Sequence, residues 1–185
     1  MKNFKILAFA LITLVSFSSC NNDDPIAVNE EELITTVTTT LTAGNQTITL
    51  TSKDLDGDGP NMPVITVSGE LALNTTYTGA VSFLNESVTP ADNITAEILE
   101  EGVEHQLFFQ APAAVGAFTY ADADANGKPI GLKFTLKTGA TATTGSITVT
   151  LRHEPVKTAD GVATGSITNA GGATDALITY PVTLR

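Results

Sequence analysis

The stretch SKDLDGDGPN, residues 52–61, sets Asp54, Asp56 and Asp58 at every second position and follows them with Gly59. This is the first half of an EF-hand loop. A tightly curled chain turns positions 1, 3 and 5 toward one centre, and glycine at position 6 permits the sharp bend. Position 7 contributes only a carbonyl, so Pro60 is acceptable there, but position 12 is Ile65 where the motif places a bidentate glutamate. A second half-motif stands at Asp122, Asp124, Asn126 and Gly127, with Lys133 at its position 12. Both loops are therefore candidate structural calcium sites that need a carboxylate from elsewhere, such as Glu32, Glu70 or Glu86. The competing reading is a pair of acidic turns, since Asp-Gly and Asn-Gly favour hairpin connections.

The two histidines offer different chemistry. His105 follows Glu104 and His153 precedes Glu154, and imidazole with carboxylate suits zinc or copper. A tethered acidic protein with such a site would collect these ions for a transporter. Nothing in the spacing brings the two histidines together, and two surface residues at strand ends fit the sequence equally. Neither histidine lies in a nucleophile elbow or triad motif, and no phosphate loop, HExxH helix or cofactor fingerprint is present. The expectation is a non-catalytic protein.

The N-terminus explains where such sites would work. Lys2 and Lys5 precede an apolar run, Ile6 to Val15, and Phe17-Ser18-Ser19 leads to Cys20, the single cysteine. Residues 1–19 read as a lipoprotein signal peptide, because the apolar run is well short of the roughly 20 residues that span a bilayer. Cys20 is the expected lipidation site, and several acyl chains anchor stably where one is marginal. Residues 20–31, polar and acidic, read as a tether without the periodicity of a folded element. Without the signal's two lysines, seven basic side chains face twenty acidic ones, taking the formal charge from −11 to −13. Nucleic acid is excluded as a natural partner, since its binding depends on basic side chains neutralising phosphates.

Residues 32–185 are long enough for one domain with a real core. Apolar residues alternate with threonine or lysine in ELITTVTTTLT, QTITLTS, PVITVSG, AVSFLNE, LKFTLKT and SITVTLR, the mark of strands with one buried face. In the last strand Ile178, Tyr180, Val182 and Leu184 alternate, and Pro181 on the opposite face implies a sheet edge. Thr89, Pro90, Ile94, Ile98 and Gly102 predict one short helix over about 90–101. With no βαβ alternation, the expected fold is all-β: an antiparallel, immunoglobulin-like β-sandwich carrying one helix. A faint duplication relates the two acidic loops and the strands after them. Aromatics are scarce, 8 Phe and 3 Tyr without Trp, which weighs against a sugar-binding platform.

Taken together, the lipobox with NNDD, then EEELITTVTTTLT, DLDGDGPN, TLRHEP and ITNAGGATD, resemble a family of small lipoproteins of the Bacteroidota. The resemblance spans essentially the mature chain, with DLDGDG and RHEP its most specific parts, and it implies no activity. Acid close behind the cysteine resembles surface-export signals, which favours the outer face of the outer membrane over the periplasmic face. Such chains sometimes receive the label "type 1 periplasmic binding fold", but that fold needs two α/β lobes with parallel sheets, and the strand alternation opposes it. The expectation is a lipid-anchored binding or accessory module with calcium-stabilised loops, held to the outer membrane through Cys20 and serving an uptake receptor. The alternatives are a transition-metal-capturing lipoprotein using His105 and His153, and a hydrolase with an unrecognised site.

Overall fold

The computed structural model describes residues 33–185 with the exception of residue 58. The expected signal peptide, Cys20, the tether, Glu32 and Asp58 lie outside the described residues. The elements are β1 (Thr36–Ala43), β2 (Gln46–Lys53), β3 (Val64–Val67), β4 (Thr76–Leu84), α1 (Ile94–Glu100), β5 (His105–Gln110), β6 (Gly116–Tyr120), β7 (Lys133–Thr138), β8 (Thr143–His153) and β9 (Ala173–Leu184). They form a six-stranded sheet in the order β3-β2-β1-β4-β7-β6 and a three-stranded sheet in the order β5-β8-β9. All pairings of named strands are antiparallel. The result is the all-β sandwich with one short α-helix that the alternation predicts.

The alternation has a direct physical reading. Val37 and Leu41 of β1, Ile48 and Leu50 of β2, and Tyr77, Val81 and Phe83 of β4 point inward from the larger sheet. Leu107 and Phe109 of β5, Ile147, Val149 and Leu151 of β8, and Tyr180, Val182 and Leu184 of β9 meet them. Fully burying a side chain of this kind contributes about 2 kcal/mol. Tyr77 enters the core without losing its polar partners, since its hydroxyl accepts from Ala72 N (2.9 Å) and donates to Gln46 Oε1 (3.0 Å). On one side the sandwich is closed by a parallel bridge between Leu71 and Leu184. The outer face of the smaller sheet is covered by the loop 154–172, where Val162 and Ala170 bury Phe108. As Pro181 implies, β9 is an edge strand.

Three expectations are corrected. The helix starts at Ile94, not near residue 90, because Asn85 and Asp92 exchange backbone hydrogen bonds of 3.1 and 3.0 Å that hold the intervening segment as a returning loop. Pro90 sits in that loop after a cis peptide bond. Ile94 and Ile98 are buried, and the Thr95 hydroxyl bonds both Phe83 N (2.7 Å) and Phe83 O (3.0 Å), so the helix occupies the edge of β4 beyond β7. The alternation in ELITTVTTTLT places Leu33 on the face of Val37 and Leu41, but Leu33 precedes β1 and is exposed. The duplication does not extend to the architecture, since β3 and β4 lie in one sheet while β7 and β8 lie in opposite sheets.

Candidate metal centre

His105 opens β5 and His153 closes β8, and the antiparallel register sets them directly opposite one another. They continue the inward-facing rows formed by Leu107 with Leu151 and by Phe109 with Val149. The imidazoles thus terminate the core at one end of the smaller sheet, stacked with centroids 4.8 Å apart and 8° between planes. His105 is only 5% exposed. Its Nδ1 lies 3.2 Å from the carbonyl oxygen of Glu101, at the end of α1. A proton on Nδ1 donated there leaves Nε2 with its lone pair, the arrangement by which a second-shell carbonyl orients a metal-binding histidine.

The third member is Asp175, a residue that sequence reasoning missed. Its Oδ2 stands 3.9 Å from His105 Nε2, and ligand atoms of His105, His153 and Asp175 all lie within 4.8 Å of one another. Simple alternation back from Ile178 would turn Ala176 and Thr174 inward and Asp175 outward. The pairing with β8 slips between Leu151, opposite Ala176, and Arg152, opposite Thr174, so Asp175 is the extra residue of a β-bulge. A bulge re-aims the side chain it carries. Arg152 braces the turn before it, donating from Nε (3.0 Å) and Nη2 (2.6 Å) to Gly171 O and from Nη1 to the Thr174 hydroxyl. Gly172 has φ +70°, and a Cβ there would stand 2.1 Å from His153 O, so the approach of β9 to the end of β8 requires glycine.

Carboxylates surround the histidines. Glu104 Oε2 is 3.9 Å from His153 Nε2 and Glu101 Oε2 is 4.0 Å from His105 Nδ1. Glu154, paired with His153 in the sequence reading, follows the strand with φ +50° and is not one of the three clustered groups. Two imidazoles and a carboxylate make a donor set suited to zinc or copper(II). Bond lengths of about 2.0–2.2 Å require the three to draw inward by side-chain rotation.

The acidic loops are built differently from each other. In the second, Asp122 accepts from Gly131 N (2.7 Å) and Lys133 N (2.8 Å). Asp124 Oδ1 accepts from Asn126 N (2.8 Å) and Lys128 N (2.9 Å), and its Oδ2 accepts from Lys157 Nζ at 2.8 Å. Lys157 is 6% exposed, and its ammonium also donates to Gly102 O and, at 3.0 Å, to Pro129 O. Burial alone would raise the Asp124 carboxyl, but Lys157 and the Lys128 and Asn126 amides hold it below its ordinary value. Burial pushes the Lys157 ammonium down, against the opposing pull of Asp124 and Asp122. A lysine thus supplies the positive charge at this loop. Asn126 contributes only its backbone N–H to these bonds.

In the first loop, Asp56 Oδ2 accepts from Asn61 Nδ2 (2.7 Å) and Asn61 N (3.3 Å). Among the described residues, Asp54 Oδ1 is buried with no hydrogen-bond partner. Partial burial pushes the Asp54 carboxyl up, and its hydrogen bond with Asp56 and that group's charge add to the rise. Asp56 is held down by hydrogen bonds from Asp54 and Asn61. Of the carboxylates considered as distant ligands, Glu86 stands beside the loop's base but accepts from Thr36 Oγ1 and pairs with Lys53 Nζ at 2.9 Å. Glu70 is at the opposite end of β2, its backbone carbonyl bonded by Gln46 Nε2 and its carboxylate 3.3 Å from Arg185 Nε.

No protein-family model, curated protein or solved structure matches this chain.

Proposed function

We propose that this protein is a non-catalytic metal-binding module of the cell envelope, anchored through lipidated Cys20, that takes up one zinc or copper(II) ion at His105, His153 and Asp175. The observation carrying the reading is the strand register, which sets the two histidines face to face, together with the bulge that turns Asp175 to them. Each strand of the smaller sheet supplies one ligand. Three protein ligands leave a coordination position open, as in sites that exchange their ligand rather than closed structural sites. Asp175, Glu101 and Glu104 give the surroundings a negative field that favours a cation.

Calorimetric titration of the purified protein with zinc and with copper(II) tests this. One ion binds per chain, and His153→Ala or Asp175→Ala weakens binding by more than the ~10 to 100-fold typical of second-shell losses. The affinity falls as the solution is acidified, because protons compete for the same lone pairs. A chain that binds neither ion, or binds equally well without His153 and Asp175, rules the reading out.

A second reading concerns the first acidic loop, where Asp54 Oδ1, buried and without a hydrogen-bond partner among the described residues, supports calcium as a structural ion. Protons compete with a cation for the carboxylate oxygens of Asp54 and Asp56, so calcium binding weakens toward acid pH. Calcium raises the melting temperature of the wild-type protein and leaves that of Asp54→Asn unchanged. A wild-type melting temperature insensitive to millimolar calcium removes this ion from the account.

A further inference from the structure

The two sheets differ in width. β6 is an edge strand of the six-stranded sheet, and β5 is an edge strand of the three-stranded sheet. Residues of these two edge strands, with Thr164 and Gly165, line a cleft of about 390 Å³, within the size range of small-molecule sites. Phe118 and Tyr120 of β6 and Phe109 of β5 bound it on one side, and Gln110, Thr164 and Gly165 form part of its rim. Gly165 has φ +100°, and the position a Cβ would take lies 3.8 Å from the Tyr120 ring, so glycine keeps the space above that ring open. Gln110 and His105 stand at opposite ends of β5, about 17 Å apart along the strand, so the cleft is separate from the histidine cluster.

Its walls are held rigidly. Phe118 stacks on Phe109 with centroids 5.1 Å apart and 15° between planes, and Phe109 rests on Phe134 at 4.2 Å. The Tyr120 hydroxyl donates to Leu107 O (2.7 Å) and accepts from Gln106 Nε2 (3.1 Å). A chain poor in aromatic residues has therefore gathered three of its eleven here. Among the described residues, none of the lining side chains is charged, although the chain carries twenty acidic groups. A cationic ligand would find no carboxylate in the cleft, and an anionic one would be repelled by the protein's field. A flat aromatic surface beside a rim of amide, hydroxyl and edge-strand backbone groups matches a neutral ring with an apolar face and hydroxyls at its margin.

We propose that this cleft binds a neutral sugar, one face of a pyranose ring lying on Phe118 while its hydroxyls bond Gln110, Thr164 and the backbone of β5 and β6. The test is a titration of the isotope-labelled protein with neutral methyl pyranosides of glucose, galactose, mannose and N-acetylglucosamine, followed by amide chemical shifts. Saturable shifts confined to residues 109–111, 116–120 and 164–165 are expected for at least one of them. Phe118→Leu, which keeps the apolar packing but loses the ring, weakens that sugar about tenfold. Thr164→Arg fills the cleft mouth from an exposed position and removes binding, while zinc titration is unchanged in both variants. The proposal is overturned if no pyranoside gives saturable shifts up to tens of millimolar, if indole shifts these residues and no sugar does, or if Thr164→Arg binds as the wild type does.

Discussion

At Asp124, the carboxylate that a calcium loop would turn to its ion faces the ammonium of Lys157. The Asp124 side chain is 1% exposed and that of Lys157 6%, so neither charge is relieved by water. Removing one partner of such a pair leaves the other buried and uncompensated. Lys157→Met should cost about 3 kcal/mol in chemical denaturation at neutral pH. Lys53→Met, which breaks the half-exposed contact with Glu86, should cost less than about 1 kcal/mol. The folded value of Asp124 is depressed, so its contribution is fully present above the ordinary aspartate value of about 3.9 and fades as pH falls through the lower folded value. Tyrosine sets the opposite limit. Burial pushes Tyr120 and Tyr180 up to about 12. Their contribution is complete below about 10, the value in an unfolded chain, and is lost as pH rises to about 12. Stability followed by denaturant melts should decline through that alkaline window, with absorbance showing phenolate from these two residues only at its upper end.

Among the elements, the ends of β8 and β9 carry the most consequence. His105 and His153 were visible as residues, but their meeting depends on the pairing of β5 with β8, strands separated by more than thirty residues of intervening chain. Asp175 was hidden for a specific reason: period-two reasoning assumes an unbroken ladder, and one extra residue reverses the face of everything before it. Deleting Asp175 should restore regular pairing of β9, leave the far-ultraviolet circular dichroism of the sheet unchanged, and remove zinc or copper binding. Asp175→Asn keeps the bulge and its length, and should retain a weakened site. Binding equal to that of the wild type in both variants would mean that the carboxylate plays no part. The acidic loops were legible as turns and as clusters of acid, whereas Lys157, at a distance of 33 residues from Asp124, carried no signal that it would fill one of them.

For the whole molecule, the strand class followed from the chain because period two is a local property that each segment carries by itself. The helix start did not, since Thr89 and Pro90 supply local signals that the bridge between Asn85 and Asp92 overrides. By itself, the sequence determined an acidic chain of alternating strands with two histidines, two half-motifs and few aromatic rings. Only the tertiary structure decided that the histidines stack, that Asp175 joins them, that Lys157 sits in one acidic loop, and that edge strands β5 and β6 line an aromatic cleft. Each of those outcomes depends on contacts between distant segments, made when burial of the common core selects one register and one sheet order.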